Sequence, residues 1–156
     1  MDTKSNTAVP DSGNEVYLRM LAESARAARR SAQRVLCVDD DAAVLGACAS
    51  AFAGRSDWSF AVTAEAGLIA MESCGPHTVV IWSLEMVGGL IRLGDVRKVA
   101  PCSMVLLLSR DPSAPASLDA ALRTGAAKVL PRVCPAVQLR RAVEEATASV
   151  PSRRMA

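Results

Sequence analysis

Aromatic side chains are scarce in this chain: two Phe, two Trp and one Tyr make up 3% of its 156 residues. Its core must therefore be built from Val, Leu, Ile and Ala. An excess of either charge is also missing. The 18 Lys and Arg against 16 Asp and Glu leave +2, too little to argue for nucleic acid or an anionic membrane as partner. No apolar run approaches the length that crosses a bilayer, and the first residues are polar rather than signal-like. Cysteines at 37, 48, 74, 102 and 134 are odd in number, widely spaced and never arranged as CxxC. That pattern disfavours a disulfide framework or a zinc site and suits small buried hydrophobes in a reducing, cytoplasmic compartment. There is one histidine, His77, and no GxGxxG or Walker-type phosphate loop. What is present is a globular balance, 51% hydrophobic and 22% charged, with chain enough for one domain and its core.

The organisation is one of alternation. Residues 1–14 (MDTKSNTAVPDSGN) read as a disordered lead. Residues 15–33 read as a helical extension capped by Asn14, with a thin stripe of Tyr17, Leu21, Ala25, Ala28 and Ala32. That helix is either a solvated extension or a docking or dimer helix. A DNA-reading role is disfavoured, because no second recognition helix accompanies it and Glu15 and Glu23 dilute its arginines. A domain over 34–149 and a tail over 150–156 follow. Within the domain, Val35–Val38, 60–62, 79–86, 104–108 and 128–130 read as strands. Helical spacing appears over 42–52, 64–71, 90–99, around Leu118, Ala121 and Leu122, and from Pro135 through Leu139, Val143, Ala146 and Val150. Five strand–helix units with short loops predict an α/β domain with a doubly wound, five-stranded parallel sheet of order 2-1-3-4-5. The stretch 79–86 (VVIWSLEM) reads as a strand buried on both faces. In that order the carboxyl ends of strands 1, 3, 4 and 5 gather Asp39 and Asp40, Ser83 with Glu85, Ser109 with Arg110, and Lys128 or Arg132.

On these residues the chain, from about 34 to 149, resembles a CheY-like (flavodoxin-like) response-regulator receiver domain. Val-Asp-Asp after the first strand resembles the family's Mg²⁺-holding acidic pair, Asp39 and Asp40. Ser-Leu-Glu-Met at 83–86 resembles the segment that begins with the phosphoacceptor aspartate. Ser109 matches the hydroxyl that contacts the phosphoryl group. Gly125-Ala126 followed by Leu130-Pro131-Arg132 resembles the stretch that carries the family's lysine. The departures are as informative. Ser83 stands at the phosphoacceptor position and Arg132 at the lysine position. Val129 stands at the switch-aromatic position, and Val87 replaces a proline. The loop before Gly89 is about two residues short. Arg110 stands where the family keeps a small residue. The family uses only a backbone carbonyl at Glu85 for the metal, so the Glu85 side chain is expected to be incidental.

A carboxylate nucleophile is what makes an aspartyl phosphate, and Ser83 has no base to activate it; His77 precedes the third strand, at the other end of the sheet. Asp39 and Asp40 against Arg132, and Arg110 beside them, approach neutrality without a metal, so Mg²⁺ binding is expected to be weak or absent and no other cofactor is implied. Plainer roles stay open: an N-cap cluster for residues 39–41, a loop-bonding serine at 109, a structural ion pair for Arg132, and core packing for Val129. The resemblance implies a stand-alone pseudo-receiver in two-component (phosphorelay) signalling, not an enzyme, acting by phosphorylation-independent protein–protein contact. The implied surface is the fourth helix, fifth strand and fifth helix of the repeating units (118–124, 128–130, 139–145), which could also pair copies into a homodimer. No membrane and no direct nucleic-acid contact are expected. Two alternatives remain: a phosphorylatable receiver using Asp39 or Asp40, and a small-ligand or nucleotide-binding doubly wound domain. The last third of the chain also resembles receivers that precede a DNA-binding helix-turn-helix, but nothing in these 156 residues can bind DNA that way.

Overall fold

The computed structural model describes residues 12–32, 34–55, 57–73 and 78–148. In chain order the elements are α1 (Ser12–Ala32), β1 (Val35–Val38), α2 (Ala42–Ala51), β2 (Trp58–Ala61), α3 (Ala64–Ser73) and β3 (Val79–Ser83). There follow α4 (Leu93–Val99), β4 (Met104–Ser109), α5 (Pro115–Thr124), β5 (Lys128–Pro131) and α6 (Ala136–Ala148). The strands form one parallel sheet in the order β2-β1-β3-β4-β5, the order that strict alternation predicts. The lead over 1–11, the tail over 150–156, the Gly75-Pro76 break, Cys74 and His77 lie outside the described residues. α1 starts at Ser12, ahead of the expected Asn14 cap. Its side chains from Gly13 to Ser24 are exposed, Val16, Tyr17, Leu18, Met20 and Leu21 included. Among the described residues no helix is long and apolar enough to cross a membrane.

The three central strands are buried because they are apolar at nearly every position and helices cover both faces. Side chains alternate between two cores, as a period of two requires. Val35, Cys37, Val79, Ile81, Leu106 and Leu108 face α2 and α6 with Cys48, Phe52, Leu139 and Val143. Leu36, Val38, Val80, Trp82, Val105 and Leu107 face α3, α4 and α5 with Leu68, Met71, Leu93, Val96 and Ala120. Aliphatic side chains carry both cores, and Trp82 and Phe52 are the two large rings fully buried within them.

Three local expectations change. The second strand starts at Trp58 rather than Phe60 and ends before Val62, because Trp58 joins the ring cluster of Phe52 and Phe60. The helix expected from Leu90 begins at Leu93, since residues 84–92 are spent in turns. Gly88 there has φ 76°, and a Cβ on Gly89 would collide with the Ser83 carbonyl and the Met86 side chain. The Trp82 indole N–H donates to the Gly89 carbonyl at 2.8 Å and pins that turn to the sheet. α5 is turned over. Leu118 and Leu122, which mark it in the sequence, point to solvent, Leu122 at 83% exposure. Its buried face is Ser117, Ala120 and Thr124. The polar members of that face are satisfied internally: the Thr124 hydroxyl donates to the Ala120 carbonyl, and Ser117 joins the network described next.

Candidate functional site at the carboxyl edge of the sheet

Parallel strands present their carboxyl ends together, and the chain reverses direction between β1 and β3. Asp39 follows β1 directly and is 1% exposed; its N–H donates to the Ala61 carbonyl of β2. Arg132 follows β5, tied down by its N–H to the Ser109 carbonyl at 2.8 Å, and is 6% exposed. A buried carboxylate and a buried guanidinium must compensate each other. They do so through the fork geometry available to arginine alone. The Arg132 Nη2 reaches Asp39 Oδ1 at 2.6 Å and Asp40 Oδ1 at 2.9 Å, and Nε reaches Asp39 Oδ2 at 3.2 Å. The Val87 N–H donates to Asp40 Oδ2 at 3.1 Å, and the Asp41 N–H to Asp39 Oδ1 at 3.0 Å. All four oxygens of the acidic pair therefore already accept a hydrogen bond.

The charges respond accordingly. The Val87 N–H, with Arg132 behind it, holds the Asp40 carboxyl below the usual aspartate range. The hydrogen bond to Asp39 holds the Arg132 guanidinium above its ordinary value. Asp41 is not part of this set. Its carboxylate accepts from the Ala43 N–H at 2.8 Å and caps α2. The acidic triplet thus divides into a pocket pair and a cap.

Ser83 ends β3 at the centre of the edge. It is fully buried, and its hydroxyl has no hydrogen-bond partner. No base touches it. Val129 is half-buried against the α3–α4–α5 core, with no ring at that position to swing between two rotamers. Lys128, offered by the sequence as an alternative to Arg132, sits at the opposite end of β5. It starts that strand opposite Leu106 and pairs with Glu145 at 3.7 Å, outside the pocket.

Glu85 departs most from expectation. Its side chain, expected to be incidental, crosses to the β4–α5 turn. There Oε1 accepts from the Ser109 hydroxyl at 3.0 Å and from the Arg110 N–H at 2.6 Å. The Ser109 hydroxyl is in turn 2.7 Å from that of Ser117 in α5 and accepts from the Asp111 N–H at 3.2 Å. Ser117, which sequence reasoning missed, also reaches the Asp111 carbonyl at 2.8 Å. The signal for Glu85 was available: an acid two residues beyond Ser83, beside a hydroxyl assigned to contact an anion. Arg110 itself is exposed and enters the site through its backbone.

The receiver resemblance implies a divalent cation between Asp39, Asp40 and the backbone of Glu85. Hard cations need several oxygen ligands. Here the guanidinium stands between the two carboxylates, and each of their oxygens is engaged. The residues present do not fit a divalent cation while Arg132 holds that place. Among the described residues no group of three or more His, Cys, Asp and Glu side chains is arranged to hold a metal.

No family model matches this chain, and no curated protein does. Solved structures do. A CheY-like response-regulator receiver domain protein from Methanospirillum hungatei JF-1 superposes with TM-score 0.63 at 18% identity, over 75% of this chain and 98% of that one. The signal receiver domain of an HD domain-containing protein from Pseudomonas fluorescens Pf-5 gives TM-score 0.68 at 19% identity, over 78% and 91%. An adenylate cyclase structure from Rhodopirellula baltica gives TM-score 0.67 at 19% identity, over 74% and 87%. At such identities the likeness is one of architecture: the chain carries the five-stranded, doubly wound fold of CheY-like receiver domains.

Proposed function

We propose that this chain is a pseudo-receiver that works in two-component (phosphorelay) signalling by protein–protein contact rather than by phosphotransfer. The observation that carries the reading is Arg132 spanning Asp39 and Asp40 beside a serine, with every oxygen of the acidic pair occupied. Phosphoryl transfer to a receiver pocket calls for a free carboxylate nucleophile and a cation to balance charge. Ser83 offers a hydroxyl without a base, and Arg132 supplies the positive charge from within the chain. The same saturation argues that Mg²⁺ binds weakly or not at all, and that the protein is not an enzyme.

Contact is supported by the turned-over α5. Leu118 and Leu122 on α5 and Val137 on α6 are exposed. Charged neighbours frame them: Arg123 paired with Asp119 at 3.0 Å, and Lys128 with Glu145 at 3.7 Å. Such a mixture suits a protein partner, or a second copy, with the charges setting orientation more than affinity. The free thiols of Cys37, Cys48, Cys102 and Cys134 suit a cytoplasmic setting.

The test is to incubate the full chain with a small phosphodonor and Mg²⁺ and to read intact mass. No phosphoryl adduct is expected. An adduct that maps to Asp39 or Asp40 would overturn the reading in favour of a phosphorylatable receiver.

A further inference from the structure

The β4–α5 turn is built as an oxyanion cradle. It offers one hydroxyl donor, from Ser109, and one backbone donor, the Arg110 N–H, converging on a single point. That point is filled by a carboxylate oxygen from the chain itself. The proton inventory is informative. A serine hydroxyl has one proton and two lone pairs. If Ser109 gives its proton to Glu85, its lone pairs accept from the Asp111 N–H and from the Ser117 hydroxyl, whose single proton is then shared between Ser109 at 2.7 Å and the Asp111 carbonyl at 2.8 Å. If Ser109 gave it to Ser117 instead, a lone pair would face the Glu85 carboxylate at 3.0 Å, lone pair against lone pair. The carboxylate therefore sets the direction of the Ser109 hydroxyl, which in turn touches Ser117 of α5. Ser117 belongs to the buried face of α5, and Leu118 and Leu122 lie on the opposite face of that helix.

We propose that Glu85 is a positioning residue: its carboxylate permanently occupies the Ser109–Arg110 cradle as an internal anion and, through Ser109 and Ser117, holds α5 in one position. This deepens the contact-based function proposed above, since it supplies a fixed presentation of the Leu118–Leu122 surface where a phosphoryl group would otherwise be needed. Glu85 is exposed, so its removal leaves no core cavity and keeps the fold.

The experiment is a ¹⁵N–¹H spectrum of the full chain, wild type against Glu85→Ala, followed by titration of inorganic phosphate and, separately, acetate. In Glu85→Ala the amides of Arg110, Ser117 and Leu118 shift together, and added phosphate or acetate returns them saturably towards their wild-type positions. The wild-type spectrum does not respond to either anion. Glu85→Gln, which keeps the shape and loses the charge, gives a smaller shift in the same residues. Two results overturn the proposal: an Arg110 amide unmoved by Glu85→Ala, or a shift that neither anion reverses. The phosphodonor assay is read separately. An adduct on the wild-type chain would defeat the contact-only function and leave the Glu85 result standing.

Discussion

Removing the Arg132 guanidinium is the sharpest test of the pocket. Arg132→Met keeps most of the side-chain volume and leaves Asp39, 1% exposed, as a buried carboxylate with only the Asp41 N–H on one oxygen. Each Arg132–carboxylate contact, at 2.6 and 2.9 Å, is worth roughly 6 kcal/mol in Coulomb terms at an effective dielectric near 20. Desolvation offsets much of that, so the intact pair adds little net stability. Breaking it from one side is different, and costs about 3–5 kcal/mol. Arg132→Lys keeps the charge but not the fork: one ammonium cannot reproduce both Nε and Nη2, and a loss of about 1–2 kcal/mol is expected. Asp39→Asn with Arg132→Met removes the stranded charge and should recover on the order of 2 kcal/mol of the single-mutant loss. The assay is urea unfolding of all four proteins, with the midpoint shifting at constant m. A loss below about 1 kcal/mol for Arg132→Met, the value of a surface ion pair, would refute the buried, charge-compensated pocket.

Three further predictions follow from other parts of the molecule. Leu122→Glu is expected to change stability by no more than about 0.5 kcal/mol, since the side chain is 83% exposed; it should abolish any concentration-dependent self-association seen by sedimentation velocity, and a variant that associates as the wild type does would discard this surface for self-pairing. Acid should destabilise the fold through Asp40 and Asp57. Both carboxyls titrate below their ordinary values, Asp40 through the Val87 N–H and Asp57 through Arg55. The unfolded chain therefore takes up those protons first. Stability from these groups is full above about pH 4 and drains as pH falls through the lower folded values. Urea midpoints that stay flat below pH 4 would contradict this. Gly89→Ala forces a methyl against the Ser83 carbonyl and Met86; a loss of about 1–3 kcal/mol should come with a changed Trp82 emission, because the indole N–H loses its fixed acceptor, and an unchanged spectrum at wild-type stability would show that the turn is free to move.

The topology was legible because it rests on pattern alone. Val35–Val38, Val79–Ser83 and Met104–Ser109 are apolar at every position but their closing serines and buried at nearly every one, and punctuation by Asp39, Gly88 and Pro101 leaves little freedom in where they stop. The edges were less legible. β2 is exposed at Ser59 and Phe60, so its sequence carries no strong alternation, and its start was set by ring packing that no local pattern encodes. α5 shows the limit most directly. Leu118 and Leu122 outweigh Ser117 and Thr124 on any hydropathy reading. The helix nevertheless buries the polar pair, because each hydroxyl finds an acceptor within the chain. Periodicity located the helix and could not say which face was inward.

The site divides along the same line. Which residues meet at the sheet edge followed from strand order, because order fixes which carboxyl ends are adjacent. That Arg132 pairs with Asp39 and Asp40 was legible too; the detail of the contacts was not, because it depends on reach. Arginine and lysine read alike in a sequence, yet the arginine fork is what allows one side chain to bind Asp39 twice and Asp40 once. Glu85 read as incidental because the backbone at its position is what the resemblance made important. Its side chain is long enough to cross from β3 to the turn after β4, and two donors await it there. Both substitutions act in the same direction. A positive group fills the place between the aspartates, and a negative group fills the cradle beside them, each covalently part of the chain. Ser83 then needs no charge of its own. A carboxylate there would add a second buried negative charge beside Asp39 with Arg132 already engaged, so a serine is the residue consistent with Arg132.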